Sequence, residues 1–243
     1  MSNKVELIIE RDFRTFFADR FLLVVMFVNF MIDLGVSGLS LAAMVKGFNY
    51  FLYIAPGANL VTATVAAFQS GRDVWRERII QNTQDYLLTL PFSRRKFAFT
   101  RLVSGMLRTT VTTLPGTIVI SLLYRLSIQL FLVGLGVMLI FSAGVIGLSV
   151  IAASLANGLE LFTTARSTVQ VYLSFFSTQF YPSSILPAPI AFVAQFNPMT
   201  WAVDAFRGLE AGTVDVTQLA SLTAISLVLL LAGYATYRKV MIF

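Results

Sequence analysis

The residues able to do chemistry are gathered in a few places, and the longest of these is Arg72 to Lys96, RDVWRERIIQNTQDYLLTLPFSRRK. It is the one long polar stretch in an otherwise apolar chain, and it holds six of the 18 Lys and Arg: Arg72, Arg76, Arg78, Arg94, Arg95 and Lys96. Ile79, Ile80, Tyr86, Leu87 and Leu88 recur at helical spacing and Leu90-Pro91 closes the pattern, which predicts a helix over 72–90. Glu77, Gln84 and Asp85 interleave with those apolar residues, a mixture that suits a protein partner better than plain lipid. The chemistry on offer is noncovalent: ion pairs and hydrogen bonds to a soluble partner, with Glu77, Arg78, Asn82, Thr83, Gln84 and Asp85 as candidate contacts.

Past Pro91, Ser93 can cap a following helix, and Arg94, Arg101 and Arg108 fall seven residues apart on one face of it. That basic stripe leads toward a membrane span and suits lipid headgroups. Asp33 is different, because it sits near the centre of an apolar run. A charge there costs about 2.5–3.5 kcal/mol on insertion scales, so it should face the protein interior or water. Asn29 and Ser37 lie one turn to either side and could share its bonding. Both a proton relay and a hydrogen-bonded packing or dimer contact are open for Asp33.

A further polar constellation lies between Pro182 and Asp215. Pro182, Pro187 and Pro189 break helices. Ile190–Phe196 is far shorter than the roughly 20 residues a span requires, so it is expected to dip part-way into the bilayer and return. Asn197 is placed to N-cap a helix with Pro198 at its first position. Met199, Val203 and Phe206 make an apolar stripe, with Trp201 as an interfacial anchor.

Other chemistry is excluded by what the chain lacks. It has no cysteine and no histidine, which removes disulfides, thiol nucleophiles, the usual zinc sites and imidazole acid–base catalysis. No lysine follows a glycine anywhere, so there is no G-x-x-x-x-G-K-[ST] phosphate loop. No catalytic, metal or cofactor site is expected on this chain. If ATP drives it, another polypeptide must hold the nucleotide.

The elements that must position these residues are membrane helices. The 243 residues are 57% hydrophobic and 12% charged, with mean hydropathy +0.79. Soluble domains carry about 25% charged residues. The reading is an all-α integral membrane protein, a single transmembrane domain over 1–243 with six spans. An amphipathic helix over 3–20 carries Ile9, Phe13, Phe16 and Phe17 on one side, with Glu10, Arg11, Arg14 and Asp19 facing away. No cleavable signal peptide is expected, because charged and apolar residues alternate over the first twenty positions. Spans are expected near Phe21–Val45, Tyr50–Gln69 (interrupted at Pro56-Gly57), Thr109–Tyr124 (kinked at Pro115-Gly116), Ile128–Leu155, Thr168–Tyr181 and Leu219–Tyr237. Ala143 and Gly147, four apart in the fourth span, permit close helix packing.

Basic residues set the orientation. One side collects the Lys and Arg of the N-terminal helix, of 72–108, of Arg166 and of Arg238-Lys239; the other has only Lys46, Arg125 and Arg207. Both termini are therefore expected in the cytoplasm, at the plasma membrane. The pI near 9.8 reflects loops facing anionic lipid rather than nucleic acid.

Taken together, these features resemble the membrane subunit of ABC transporters of the type-2 exporter class. Members of that class have an amphipathic connecting helix, six spans and a coupling helix in the first cytoplasmic loop. The coupling helix shows acidic residues, Gly-Thr, an acidic residue, Leu-Leu, Pro and Ser-Arg. Glu77, Thr83, Asp85, Leu87, Leu88, Pro91, Ser93 and Arg94 match that pattern, while Asn82 replaces its glycine, Ile80 an often acidic position and Gln84 a usual leucine. In the outer loop, Tyr181-Pro182 through Pro187, Asn197-Pro198-Met199-Thr200 and Asp204-Ala205-Phe206-Arg207 resemble further motifs of the class. The resemblance implies a separate ABC ATPase subunit that binds ATP and Mg, a second permease subunit, and an outer re-entrant helical hairpin between spans five and six. It also implies export of an amphipathic, lipid-like, glycan or drug substrate. Two other functions are compatible with the residues: a proton- or ion-coupled secondary transporter using Asp33, and a non-transporting membrane assembly or sensor subunit.

Overall fold

The computed structural model describes residues 3–18, 20–42, 49–81 and 93–241. Every regular element among them is helical. In chain order they are α1 Asn3–Ala18, α2 Arg20–Ile32, a π-helical turn Asp33–Ser37, α3 Gly38–Ala42, α4 Tyr50–Ile79, α5 Arg94–Leu123 and α6 Ile128–Leu155. Then come α7 Leu159–Phe175, a 3-10 turn Ser183–Ile185, α8 Ala188–Ala194, α9 Pro198–Glu210 and α10 Val216–Val240. Leu23–Ser40, α4, α5, α6 and α10 are long and apolar enough to cross a membrane. The described residues thus supply five such helices where the sequence reading expects six. The run expected at Thr168–Tyr181 belongs to α7, which begins earlier and ends at Phe175. Its 17 residues rise only about 25 Å, short of a hydrocarbon core about 30 Å thick.

Two helices are longer than expected, each with 30 residues. They rise about 45 Å, some 15 Å more than the core needs. α4 does not break at Pro56-Gly57. Proline removes the N–H that would bond the carbonyl four residues back, which here is Leu52, and the Tyr124 hydroxyl donates to that carbonyl at 2.9 Å instead. At the other end, Arg72–Ile79 form the last two turns of α4 rather than the start of a separate polar helix. Asn82, Thr83, Gln84, Asp85, Leu87, Leu88 and Pro91 lie outside the described residues. α5 begins at Arg94, well before the expected Thr109, with Ser93 as its N-cap residue and no cap bond from the Ser93 side chain.

α6 stands at the centre, packed against α4, α5 and α10. Its closest crossing is with α10. A Cβ at Gly147 would overlap the Leu229 carbonyl, and one at Gly233 would press on the Gly147 backbone, so the bare glycines set this spacing. α4 meets α5 through a polar contact instead. Buried Asn59 donates to Thr117 Oγ1 at 3.0 Å, and Gly116 leaves the space its amide needs. The apolar core runs through Phe30, Leu60, Phe68, Phe141, Ile146 and Phe206.

Candidate functional site

Two polar centres sit on α4, one around Glu77 and one around Tyr53. They are about 36 Å apart along the helix, which places them at opposite ends of the bundle.

The first centre joins three helices through Arg101 of α5, only 8% exposed at its side chain. Arg101 donates to Asp12 of α1 at 2.7 and 2.8 Å and to Glu77 of α4 at 2.8 Å. Arg11 adds bonds to Asp12 at 3.0 Å and to Glu77 at 3.4 Å. One turn of the pattern further on, Arg108 pairs with Asp73 at 2.6 Å and lies 4.8 Å over the ring of buried Phe16. Burial alone would push the Asp12 carboxyl up, but the Arg101 and Arg11 guanidiniums outweigh it and hold it below its ordinary 3.8. Between these groups lies a cleft of about 70 Å³, with Ser104 and Gly105 in its wall. Next to it, Arg78 donates to the Ser154 and Ala156 carbonyls. These are orphan acceptors at the C-terminus of α6, where a cation is favoured.

Several expectations change here. Arg94 is exposed, but Arg101 and Arg108 do not continue a stripe toward lipid headgroups. They turn inward because Asp12, Glu77 and Asp73 offer closer anions. Glu77 and Arg78 likewise bond within the bundle. Arg11, expected to face away from the apolar side of α1, reaches into the cluster, while Phe17 is exposed.

The second centre is built on α9. Arg207 stacks on Tyr53, with its guanidinium carbon 3.4 Å from the ring centroid. It donates to the Tyr53 carbonyl at 3.2 and 3.0 Å, to Thr178 O at 2.9 Å, to Gln179 O at 3.1 Å and to Asp204 Oδ1 at 3.0 Å. Asp204 also accepts from the Thr178 hydroxyl at 2.9 Å. One guanidinium thereby ties α9 to the start of α4 and to the bend after α7. Asn197 makes the companion joint. Its Oδ1 caps α9 by accepting from Met199 N at 2.8 Å. Its Nδ2 donates to the Tyr172, Leu173 and Phe176 carbonyls at the end of α7. Pro198 occupies the first helical position, and Met199, Val203 and Phe206 are buried while Trp201 is half-buried. Pro182 precedes the 3-10 turn and Pro187 precedes α8. A cleft of about 290 Å³ opens between Tyr53, Tyr124, Arg207 and Glu210.

Asp33 and Asn29 join neither centre. Both are exposed on this chain, and Asp33 opens the π-helical turn, so Asp33 does not face the interior of its own subunit. Sequence reasoning passed over Asp12, Asp73, Tyr53, Tyr124 and Thr178. A signal was present for one of them: Asp73 lies four residues before Glu77, on the same face of α4. Among the described residues, no group of Asp or Glu could hold a metal ion.

The geometry defines a class: a polytopic helical membrane protein in which long helices carry polar junctions at both ends. Within that class the chain matches the family model described as ABC-2 type transporter over residues 3–211, and it belongs to that family. It is therefore an ABC permease subunit, a kind of protein that works with an ABC ATPase. No curated protein matches it.

Proposed function

We propose that this permease is the membrane-spanning half of an ATP-driven exporter. A separate subunit binds ATP and Mg, a second permease subunit completes the pathway, and an amphipathic, lipid-like, glycan or drug substrate leaves the cytoplasm. One observation carries the reading: Arg101 rivets α1, α4 and α5 together immediately beside the ends of the 82–92 segment. A partner docked on Asn82, Thr83, Gln84, Asp85, Leu87, Leu88 and Pro91 would move three helices as one body. α4 is continuous from there to the Arg207 junction, so a push at one end reaches the other.

In this scheme the Arg101 end faces the cytoplasm, with both termini, because most of the basic residues collect there. α7 and the bend through Tyr181 complete a sixth crossing. α8 and α9 form the outer re-entrant hairpin that caps the pathway at the plasma membrane. Asn29, exposed on α2, and Asp33, exposed at the start of the π-helical turn that follows it, face the second permease subunit.

Purification from native membranes tests the assignment. The permease should bring an ABC ATPase with it, and vesicles holding both should move substrate only with ATP. A stable permease that recruits no ATPase and transports without ATP would sink it. Asp33→Asn should leave ATP-driven transport intact, whereas loss of transport in a folded variant would favour proton coupling.

A further inference from the structure

α4 passes from one polar centre to the other, and its single proline lies where it crosses between them. On the Glu77 side the helix belongs to the riveted bundle. Glu77 and Asp73 bind Arg101 and Arg108 of α5, and Arg11 of α1 reaches Glu77. On the other side of Pro56 the first turn of α4 belongs to the Arg207 junction. The Tyr50 hydroxyl donates to the Phe180 carbonyl, and the Tyr53 hydroxyl to the Thr178 carbonyl at 3.0 Å. The Tyr53 carbonyl accepts twice from Arg207. A proline between two such anchored stretches is a weak point, because it removes a helical hydrogen bond and crowds the carbonyl four residues back.

Tyr124 repairs that point from another helix. Its hydroxyl donates to the freed Leu52 carbonyl at 2.9 Å, and its side chain is only 7% exposed. Tyr124 caps the C-terminus of α5, where Arg125 holds a left-handed φ of 52° and Leu126 N–H closes the turn on the Ser121 carbonyl at 2.9 Å. A non-glycine residue is thus kept in a strained conformation directly beside Tyr124. The other mid-helix proline lacks such a repair. Pro115 of α5 frees the Val111 carbonyl, and among the described residues no side chain donates to it. Membrane helices tolerate proline where a neighbour bonds the freed backbone, and here that neighbour serves the helix that joins both centres.

We propose that Tyr124 is a positioning residue for transport. Its bond to the Leu52 carbonyl stiffens α4 at Pro56, so a displacement arriving from the Arg101 end moves the Arg207 junction instead of being absorbed as a bend at the proline. The proposal rests on the exporter role given above and assigns Tyr124 a part in its coupling.

The test is a double-variant cycle, because Pro56→Ala returns the missing N–H to Leu52 and makes the Tyr124 hydroxyl dispensable. Melting is measured first, on the purified permease in nanodiscs. Tyr124→Phe should lower the melting temperature by about 2–4 °C, the effect of one lost hydrogen bond in a chain of this size. In the Pro56→Ala background the drop should be roughly half as large or less. Pro115→Ala, at an exposed position on the other helix, should leave the drop at full size. Equal drops in the parent and Pro56→Ala backgrounds overturn the lock.

The second arm uses vesicles with the co-purified ATPase and a cysteine at Glu210, exposed in the cleft beside Tyr124. The chain has no other cysteine, so the labelling rate of Glu210→Cys by a membrane-impermeant maleimide reports the outer junction. ATP should change that rate in the parent. In Tyr124→Phe the ATP-induced change should shrink about tenfold, the worth of one such bond, while ATP hydrolysis continues. Pro56→Ala alone should respond like the parent, and Tyr124→Phe combined with Pro56→Ala should recover the response. A full response in Tyr124→Phe, no recovery in the combination, or a silent Pro56→Ala variant overturns the coupling role. A parent that recruits no ATPase or shows no ATP response overturns the exporter role and the coupling role with it, whereas the melting cycle decides the lock by itself.

Discussion

The Arg101 junction yields a prediction that can be followed from geometry to measurement. Arg101→Met keeps most of the side-chain bulk and removes the charge, leaving Asp12 and Glu77 facing each other in a buried cleft. Breaking a buried pair by deleting one partner costs about 3–5 kcal/mol. Arg11 stays bonded to both acids, at 3.0 and 3.4 Å, so the lower end, about 3 kcal/mol, is expected. That energy is charged against docking of α1, because Arg101 is the main link from Asp12 to the body of the protein. Three kcal/mol corresponds to roughly a hundredfold change in the open population.

The assay exploits the absence of cysteine in the chain. Ser104 is buried in the wall of the same cleft, so Ser104→Cys reports whether α1 covers it. Thiol labelling of the Arg101→Met, Ser104→Cys protein should run about 100-fold faster than labelling of Ser104→Cys alone. Adding Asp12→Asn and Glu77→Gln removes the stranded charges and should return the rate most of the way, since a buried charge cluster replaced as a whole costs little. Labelling within threefold of the parent in Arg101→Met, or a charge-neutral triple variant as open as the single one, would refute the reasoning.

Asp12 also sets a pH dependence. Its carboxyl is held below 3.8 in the folded protein, so its contribution is present above the unfolded value and is lost as pH falls through the lower folded value. The melting temperature of wild type should exceed that of Asp12→Asn by a constant margin from pH 8 to 5, and the margin should close below about pH 4; a margin that persists in acid argues against it. At the other end of the bundle, Asn197→Asp keeps the cap acceptor but loses the donors to three α7 carbonyls. It should lose about 2–4 kcal/mol, as much as Asn197→Ala, and a wild-type melting temperature for Asn197→Asp would count against the joint. Gly147→Ala should lose at least 1–3 kcal/mol because the Leu229 carbonyl cannot retreat. Gly136→Ala, with open space around it, should be neutral, and equal melting of the two would contradict the close α6–α10 crossing.

Much of this protein is legible in one dimension. Apolar runs give the helices of a membrane protein, since a bilayer demands that every backbone group be bonded within its own segment. Asn197-Pro198 marks the start of α9 because capping is a local event. The order of Glu77, Thr83, Asp85, Leu87-Leu88 and Pro91 points to the transporter family without any structure. What the sequence could not settle was where each charge goes. A seven-residue spacing puts Arg94, Arg101 and Arg108 on one face but does not say what that face meets. The choice between lipid and protein was made by Asp12 from a helix 89 residues away. In the same way, Pro56 reads as a helix break until the Tyr124 hydroxyl arrives from another helix to take the freed Leu52 carbonyl. Tertiary structure decided these points because the energies of ion pairs and orphan carbonyls depend on which partner comes within 3 Å, and chain spacing does not encode distance across a bundle.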